Sequence, residues 1–481
     1  MRKLIYGLVA LATIGLLATS CKKEETYSFA VPSGSILVSM PGEEGTTSFD
    51  SFNIASIGVS STPQGWEVVN INLYDGTITV KAPSSFDDKE VKEGDLSLVG
   101  YTPQGSKKSI SIYLAILQNE DVDYSSSPAN CYIANKPETR YIFDPYTGGN
   151  GIELATESVV LLWQTEKSLV KYLDMRNGKV SFYLDKAVSD DDSEESTNKV
   201  KEGNALIGAY DKAGKLIWSW HIWVTNGDPR EETITLNGEE MMNRNLGAFT
   251  NSNGSTDGAE IFRSYGLYYQ WGNKNPFVGP QRYNFPGNHD DSLYDDIDFD
   301  IYLNYEASSA KVGTLEWSNA NPMTLIKGNK ENDYDWLYEG HDNMLWSEDT
   351  KTDNDPCPAG WRVPSKSVFE NLTIVGSYDD MAWEEAQPLY GWMLEDTATG
   401  EEHFFTAQGR RNYLDCRLDI INDDYDQPIP WSGYYWTASV AGADASALFF
   451  DLNTATRTWN GIDVARSMHR ANALPVRCVR E

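Results

Sequence analysis

The sequence predicts a multi-domain protein in which two all-β sandwich domains precede a third domain of a different type. Three observations support this. Apolar and polar residues alternate through the first half, an apolar N-terminal run ends at a cysteine, and tryptophans concentrate beyond residue 250, where 10 of the 15 lie. At about 150 residues per domain, the length accommodates about three domains. We expect these segments: signal peptide 1–20, tether 21–27, sandwiches 28–119 and 125–228, and a C-terminal domain 231–481.

The N-terminus has the organisation of an export signal. Arg2 and Lys3 precede an apolar run over residues 4–17, which is shorter than the roughly 20 residues of a membrane-spanning helix. The following Ala-Thr-Ser-Cys, which ends at Cys21, resembles a bacterial lipobox. That resemblance implies a diacylated Cys21 at the mature N-terminus. The alternative is ordinary secretion with Cys21 left as a free thiol.

The residues after Cys21 and the overall charge bear on location. Lys-Lys-Glu-Glu at 22–25 resembles the export tag of Bacteroidetes surface lipoproteins, and it also suits a plain solvated tether. We expect an outer-membrane lipoprotein exposed on the cell surface, with lipid on Cys21 as its only membrane contact. The formal charge of -32 disfavours nucleic acid and anionic membrane surfaces as partners.

The first sandwich is predicted from short alternating segments. SGSILVSM, WEVVNINLY, GTITVKA, GDLSLVGY and KKSISIYLAIL each alternate apolar and polar residues, with Gly, Pro and Asp at the breaks. Strands at this spacing favour an immunoglobulin-like sandwich. The segment resembles the immunoglobulin-like spacer modules that follow the lipid anchor in many Bacteroidetes surface proteins.

The second sandwich, 125–228, contains KVSFYLDKA, GNALIGAYD and GKLIWSWHIWVT. In the last segment, period-two spacing places Trp218, Trp220, Ile222 and Val224 on one strand face and His221 on the other. We expect His221 to be a hydrogen-bonded strand residue. The acidic run over 189–199 is predicted to be an exposed hairpin loop. The segment order resembles a module of fimbrillin-associated surface proteins.

Strict alternation fades beyond residue 231. Ser365 is a candidate N-cap before Val368, Phe369 and Leu372 at helical spacing, which predicts a helix over 365–372. A second helix is predicted over 379–389.

Six short motifs occur in order in this region. They are MMNRNLGA (241–248), YGLYYQWGNKNPF (265–277), DPCPAGWRVPS (355–365), GYYWTAS (433–439), ALFFDL (447–452) and LPVRCVRE (474–481). Their order resembles the Fibrobacter-type major paralogous domain over half of the chain. The resemblance implies a C-type-lectin-like fold, which is a mixed α/β domain with long loops.

The resemblance also implies a disulfide between Cys357 and Cys478, which would tie the first helix of such a domain to its closing strand. A protein matured outside the cytoplasm can form this bridge. Closing a loop of this length stabilises by about 4 to 5 kcal/mol. Cys131 and Cys416 are then expected to be buried free thiols.

Catalytic signatures are missing from the sequence. Its 5 histidines form no HExxH, and there is no CxxC pair, GxSxG elbow or phosphate-binding loop. A related lectin-like branch contains sulfatase-modifying enzymes that use a reactive cysteine or a metal, but Cys416 has no nearby base in the sequence. We expect a non-enzymatic protein, with membership of that enzyme branch as the weaker alternative.

Calcium is the one cofactor that the sequence raises. Asp296, Asp298 and Asp300 alternate, so their carboxylates are candidate calcium ligands. Ile301 stands where an EF-hand loop has glycine, so the stretch also fits a plain acidic loop. Ile429 in DQPIP likewise breaks the Gln-Pro-Asp signature of calcium-dependent sugar binding. We expect no other cofactor.

Aromatic residues near the C-terminus are candidates for ligand binding. Trp431, Tyr434 and Trp459 would stack on a ligand, and Asn460 and Asp463 would supply hydrogen bonds. The alternative is that these aromatics fill the core.

These features together predict a surface lipoprotein that binds a glycan or a protein ligand through its C-terminal domain, in adhesion or nutrient capture. The alternative is an accessory or tip subunit of a fimbria-like assembly. Because Cys478 lies three residues from the last residue of the sequence, we expect no C-terminal donor strand.

Overall fold

The structure is a computed structural model that describes residues 26–39, 42–84, 92–116, 121–176, 178–187, 198–279, 303–375, 391–419, 432–451 and 461–481. The chain divides into two compact units, Met1–Ile116 and Leu117–Glu481. In the described residues of both units, nearly all of the regular secondary structure is β-strand. The predicted signal peptide, Cys21 and most of the acidic run over 189–199 lie outside the described residues.

The first unit is a β-sandwich. Its strands are β1 (Ser28–Ala30), β2 (Ser35–Val38), β3 (Glu44–Ser48), β4 (Asp50–Phe52), β5 (Ser56–Ser61), β6 (Glu67–Asn72), β7 (Thr77–Lys81), β8 (Glu93–Tyr101) and β9 (Lys107–Ile116). They form a sheet in the order β2-β9-β8-β5, a sheet in the order β3-β7-β6 and a β1-β4 pair. The core includes Ile78, Val80, Leu96, Leu98 and Ile112.

The alternating segments of the first unit are the strands β2, β6, β7, β8 and β9, as predicted. On β7, Ile78 and Val80 are buried while the threonines between them are only partly covered. Alternation of apolar and polar residues did not predict the strands β1, β3, β4 and β5. These strands are short and mostly polar, so they show little apolar alternation.

The second unit begins with another sandwich. Its strands are β10 (Asp121–Asp123), β11 (Cys131–Ala134), β12 (Thr139–Phe143), β13 (Thr147–Gly148), β14 (Ile152–Glu153), β15 (Ser158–Gln164), β16 (Lys171–Arg176), β17 (Lys179–Leu184), β18 (Gly203–Tyr210) and β19 (Leu216–Val224). Two four-stranded sheets, β10-β12-β17-β16 and β11-β19-β18-β15, enclose its core. Trp218, Trp220, Ile222 and Val224 face this core together, as predicted.

The rest of the second unit consists of small sheets and loops. Its strands are β20 (Thr233–Leu236), β21 (Glu239–Met242), β22 (Tyr268–Gln270), β23 (Asn304–Ala307), β24 (Thr324–Lys327), β25 (Trp361–Arg362), β26 (Leu372–Ile374), β27 (Gly391–Asp396), β28 (Glu401–Thr406), β29 (Arg410–Arg411), β30 (Leu418–Asp419), β31 (Ser432–Ala441), β32 (Asp444–Asp451), β33 (Ile462–Met468), β34 (Ala473–Pro475) and β35 (Val479–Arg480). The sheet orders are β20-β21-β35-β25, β22-β34-β29-β30, β26-β27-β28, β31-β32-β33 and β23-β24.

Helix is scarce in this region, so the predicted mixed α/β character is not supported. The described residues contain α1 (Gly258–Arg263), α2 (Leu315–Ala320) and the 3₁₀ turns Lys330–Asn332 and Lys366–Phe369. Every helix in the described part of the chain is too short to cross a membrane.

The helix predicted over 365–372 is wrong in its type and length. Only Lys366–Phe369 is helical, and the chain then enters β26 at Leu372. Val368 and Phe369 are buried in a core formed with the neighbouring sheets, so tertiary packing overrides the local helical pattern. Ser365 occupies the cap position without a side-chain capping hydrogen bond. The helix predicted over 379–389 lies outside the described residues.

The Cys357–Cys478 disulfide is present, which confirms the predicted pairing. The two Cα atoms are 6.0 Å apart, and the bridge joins segments 121 residues apart in sequence. Cys357 precedes β25 and Cys478 precedes β35, and these two strands pair with each other. The disulfide therefore links the two segments that lead into this strand pair. Cys131 and Cys416 are free and buried, as expected.

The second sandwich and the C-terminal region share one hydrophobic core. The sandwich contributes Cys131, Ile133, Trp163, Leu206 and Trp223, which pack with buried residues from 242 to 478.

Hydrogen bonds cross the same boundary. Trp223 Nε1 donates to the Ala248 carbonyl oxygen at 3.0 Å. The Asn130 side-chain amide donates to the carbonyl oxygens of Asp353 and Asp355, both at 2.8 Å. Residues 125–228 and 231–481 are therefore packed as parts of one unit.

Candidate ligand-binding face

Three aromatic rings contact one another at the surface of the second unit. The rings of Tyr413 and His469 have centroids 4.6 Å apart, and each lies 4.9 Å from the ring of Tyr334. All three side chains are partly exposed. Aromatic clusters are usually buried, so a cluster open to solvent is a candidate contact surface.

The backbone around these rings is tightly constrained. Asp333 and Tyr334 have φ angles of 50° and 58°. Residues other than glycine seldom adopt this left-handed backbone conformation. A Cβ on Gly328 would lie within 2.9 Å of three Tyr334 atoms, so glycine is required for this close approach. The Gly328 N–H donates to the Tyr413 carbonyl oxygen at 2.7 Å. These contacts fix the Tyr334 ring beside the Tyr413 ring.

Hydrogen bonds hold the histidine ring in place. His469 Nδ1 donates to Asp444 Oδ1 at 2.7 Å, and Ser467 Oγ donates to Asp444 Oδ2 at 2.7 Å. Asp444 begins β32, and Ser467 lies near the end of β33. The carboxylate and the hydroxyl therefore place polar groups next to the ring cluster.

A buried charge network lies behind the rings. The Arg470 guanidinium is 4.4 Å from the Trp271 ring centroid and 4.0 Å from Asp335 Oδ2. His341 Nδ1 donates to the same Asp335 oxygen at 2.9 Å. Burial raises the pKa of Asp335, and the hydrogen bond from His341 opposes that shift.

Two polar atoms in the turn after His469 are unpaired. Within the described residues, Arg470 Nε and Asn472 Oδ1 are buried and have no hydrogen-bond partner. Unpaired buried polar atoms are uncommon in folded proteins, so two within three residues set this turn apart.

Three exposed apolar side chains lie in segments that reach the ring cluster or the adjacent Arg470. Met344, Leu414 and Val440 are 75%, 54% and 41% exposed, and they are the large exposed hydrophobic residues of the described part of 231–481.

Each belongs to a segment that contacts His469 or Arg470. Leu414 follows Tyr413, whose ring contacts His469. Asn343, which precedes Met344, accepts a hydrogen bond at Oδ1 from Arg470 Nη2. The same nitrogen lies 3.5 Å from the carbonyl oxygen of Gly442, in the turn that follows Val440 at the end of β31. We call the set Tyr334, Tyr413, His469, Asp444, Ser467, Met344, Leu414 and Val440 the His469 face.

The arrangement does not match a known nucleophilic site. In a serine hydrolase triad the histidine lies between the serine and the carboxylate, whereas here Asp444 lies between Ser467 and His469. The Ser467 hydroxyl therefore bonds to the carboxylate and not to the imidazole of His469. Burial raises the pKa of Cys131, and it raises the pKa of Cys416 to about 12, so neither thiol is activated.

The described residues offer no grouped set of metal ligands. Within the described ranges, no three His, Cys, Asp or Glu side chains are grouped closely enough to hold a metal ion. Asp296, Asp298 and Asp300, the predicted calcium ligands, lie outside those ranges.

The structure places two of the five predicted ligand-binding residues near each other. Tyr434 pairs with Phe449 across β31 and β32, and Phe449 pairs with Asp463 across β32 and β33. Trp431, Trp459 and Asn460 lie outside the described residues.

Tyr434 is not available for stacking on a ligand, and this corrects the prediction. It is only 9% exposed, because its ring packs against Phe449 at 5.0 Å and the Arg410 guanidinium lies 5.3 Å from its centroid. The alternative, that this aromatic fills the core, is the one the structure supports.

The His469 face could not be predicted from the sequence. Its rings come from positions 334, 413 and 469, and its carboxylate from 444, so no short window contains two of them. The available signal was the histidine, since the chain has only 5, but its partners could not be found from spacing.

No family model and no curated protein matches the chain. Among solved structures, the D00–D0 domain of intimin is 10% identical, with 41% of this chain and 96% of that chain covered and a TM-score of 0.18. SGBP-B of a Bacteroides ovatus mixed-linkage glucan utilisation locus, in complex with a heptasaccharide, is 13% identical, with 41% and 44% covered and a TM-score of 0.12.

The titin Ig tandem A164–A165 is 6% identical, with 42% and 100% covered and a TM-score of 0.14. These scores are too low to support an argument on fold or function. The chain is assigned to no family.

Proposed function

We propose that this protein is a non-enzymatic, lipid-anchored surface protein that binds a glycan or protein ligand through the His469 face. The observation that carries the proposal is the partly exposed cluster of the Tyr334, Tyr413 and His469 rings, with exposed Leu414 next to Tyr413 in the chain. Monomeric proteins seldom expose contiguous apolar surface without an interaction to cover it.

A glycan fits the chemistry of the face. Sugar rings present apolar C–H faces that pack on aromatic side chains, and their hydroxyls donate to carboxylates. The Asp444 carboxylate and the Ser467 hydroxyl lie beside the rings and are partly open to solvent.

A protein ligand is the second candidate, and the exposed Met344, Leu414 and Val440 favour it. Methionine and tyrosine are enriched at the centres of protein interfaces. These aliphatic side chains offer no hydrogen bonds to a sugar.

The C-terminal assignment to a C-type-lectin-like major paralogous domain is part of the proposal, and the six ordered motifs support it. The Cys357–Cys478 disulfide that this resemblance implies is present. The lectin-like module and the lipid anchor would together place a binding face on the outer surface.

The proposal that the ligand is a glycan is tested by probing a glycan array with residues 22–481, once with calcium and once with a chelator. We expect saturable binding that Tyr413→Ala weakens by about 10-fold, or ~1.4 kcal/mol. Tyr146→Ala is the matched control, because Tyr146 is a 43% exposed tyrosine in the second sandwich. No binding by a folded chain would contradict the glycan assignment.

The protein arm is tested by immobilising residues 22–481 and measuring the retention of a purified candidate partner. Met344→Glu is expected to abolish retention, because it places a charge at an exposed apolar position of the His469 face. Retention that is equal for Met344→Glu and the unmodified chain would exclude the His469 face as the contact surface.

Lipid attachment is tested separately by labelling cells with a radioactive fatty acid. We expect incorporation into the full-length chain and none into Cys21→Ser. Surface exposure would follow from digestion of the protein by protease added to intact cells.

A further inference from the structure

A cavity of about 930 Å³ opens at one end of the second sandwich. It is formed where β17 and β19 end and where the chain leads into β18. Four buried apolar residues contribute to its lining: Leu169, Leu184, Val200 and Val224. None of its lining residues belongs to the His469 face.

The charged residues of this cavity reverse the charge balance of the protein. Its lining contains five lysines and three acids, whereas the whole chain has 39 Lys and Arg against 71 Asp and Glu. The lysines are Lys167, Lys171, Lys186, Lys199 and Lys201, and the acids are Glu166, Asp185 and Glu202. A concave site with excess positive charge attracts anions even on an acidic protein.

The acids of the lining are already paired with bases. Glu166 accepts from Lys201 at 2.9 Å, and Asp185 accepts from Lys171. Glu202 pairs with Arg263 at 2.5 Å.

The Lys201–Glu166 ion pair can be exchanged at little cost. The Lys201 and Glu166 side chains are 49% and 44% exposed, and exposed ion pairs contribute only about 0 to 1 kcal/mol. An incoming anion can therefore take over such a lysine.

We propose that this cavity binds an acidic saccharide, a ligand that combines carboxylate or sulfate groups with the apolar faces of sugar rings. The lysines would form ion pairs with the anionic groups, and the apolar lining residues would pack against the faces of the sugar rings. The cavity volume lies within the range of about 300 to 1,000 Å³ that is usual for small-molecule sites. This site is separate from the proposed His469 face, so either can fail without the other.

Titration calorimetry on residues 22–481 tests the proposal with three probes. A galacturonic acid trisaccharide carries carboxylates, a heparin-derived tetrasaccharide carries sulfates, and maltotriose carries no charge. We expect binding of one or both acidic probes, weakening as salt is added, and no binding of maltotriose.

The double variant Lys199→Gln/Lys201→Gln is expected to weaken binding of the acidic probe by about 10-fold or more. Lys215→Gln is the matched control. Lys215 is an exposed lysine of the same sandwich, it pairs with Glu316, and it lies at the opposite ends of β18 and β19.

Two results would overturn the proposal: no binding of either acidic probe, or an effect of Lys215→Gln equal to that of the double variant.

Discussion

The Lys351 ammonium lies 3.0 Å from Asp355 Oδ1, and both side chains are buried. The same ammonium donates to the carbonyl oxygens of Cys357 at 2.7 Å and Trp361 at 2.9 Å. The Asp355 carboxylate also accepts the backbone N–H groups of Cys357 at 2.8 Å and Val363 at 2.9 Å. This pair therefore holds the loop that carries the disulfide cysteine.

Asp355→Asn is expected to lower the free energy of unfolding of the second unit by about 3 to 5 kcal/mol, because it leaves a buried ammonium without a counter-charge. Urea unfolding followed by tryptophan fluorescence measures this change. Trp66 is the one tryptophan in the sequence of the first unit, so the fluorescence signal comes mainly from the second unit. Asp349→Asn, at an exposed position of the same loop region, is the control. A change below about 1 kcal/mol would contradict the role of the pair.

Removing the disulfide with Cys357→Ser/Cys478→Ser is expected to destabilise the second unit by about 4 to 5 kcal/mol. The bridge closes a loop of 121 residues and so lowers the conformational entropy of the unfolded chain. Without the bridge, the unfolded chain regains that entropy and is favoured. The melting temperature with and without reductant measures the effect. Reductant should lower the melting temperature of the parent chain and leave that of the double variant unchanged.

Cys131 and Cys416 are expected to resist thiol reagents in the folded protein. Both are buried, and burial raises the pKa of each thiol, that of Cys416 to about 12. Counting thiols with a chromogenic disulfide on residues 22–481 should give none in buffer and two in denaturant. Rapid labelling in buffer at pH 8 would show that one of the two sites opens.

Stability is expected to depend on pH through His221. Burial lowers the pKa of His221 to about 3, whereas an exposed histidine titrates near 6.5. Between these values the unfolded chain binds one more proton than the folded chain. The contribution of neutral, buried His221 to the free energy of unfolding is therefore fully present above pH 6.5. It is lost as the pH falls toward 3, by up to about 1.4 kcal/mol per pH unit.

Urea unfolding at pH 7 and pH 5 tests this by comparison with His221→Gln. Gln keeps a donor for Asn204 Oδ1, which lies 2.8 Å from His221 Nε2. The parent chain should lose more stability than the variant between the two pH values. Equal losses would mean that carboxylates alone account for the acid sensitivity.

Residues 231–481 are not expected to fold without the second sandwich. Their core is completed by Ile133, Trp163 and Trp223, and the amide of Asn130 satisfies two carbonyl groups of the Asp355 loop. Fragments 231–481 and 117–481 should differ in near-ultraviolet circular dichroism, with a native signal only from the longer one. A folded monomeric 231–481 fragment would contradict this dependence.

Local sequence patterns predicted these strands well. The apolar residues that alternate on β7 and on β19 face a core in each case. On β19 the opposite face is buried as well. The helix predicted at Ser365 does not form. Its apolar spacing is short, and packing of Phe369 against neighbouring strands ends the turn before a helix forms.

The candidate site could not be predicted in the same way. Tyr434 and Tyr413 are both tyrosines in aromatic-polar contexts, yet Tyr434 is buried against Phe449 while Tyr413 is partly exposed beside His469. Exposure depends on what packs over a residue, and those neighbours come from other parts of the chain.

Period-two alternation is a local property of the chain, so the all-β character of 28–119 and 125–228 can be read from the sequence. The order of the motifs, through the resemblance it carries, also implied the pairing of Cys357 with Cys478. The folded chain was needed to show that 125–228 and 231–481 share a core. It was needed as well to show that Lys351 pairs with Asp355 in the interior, and that the Tyr334, Tyr413 and His469 rings contact one another at the surface. Those contacts join residues distant in sequence, and their positions follow from how whole sheets pack, which no local pattern encodes.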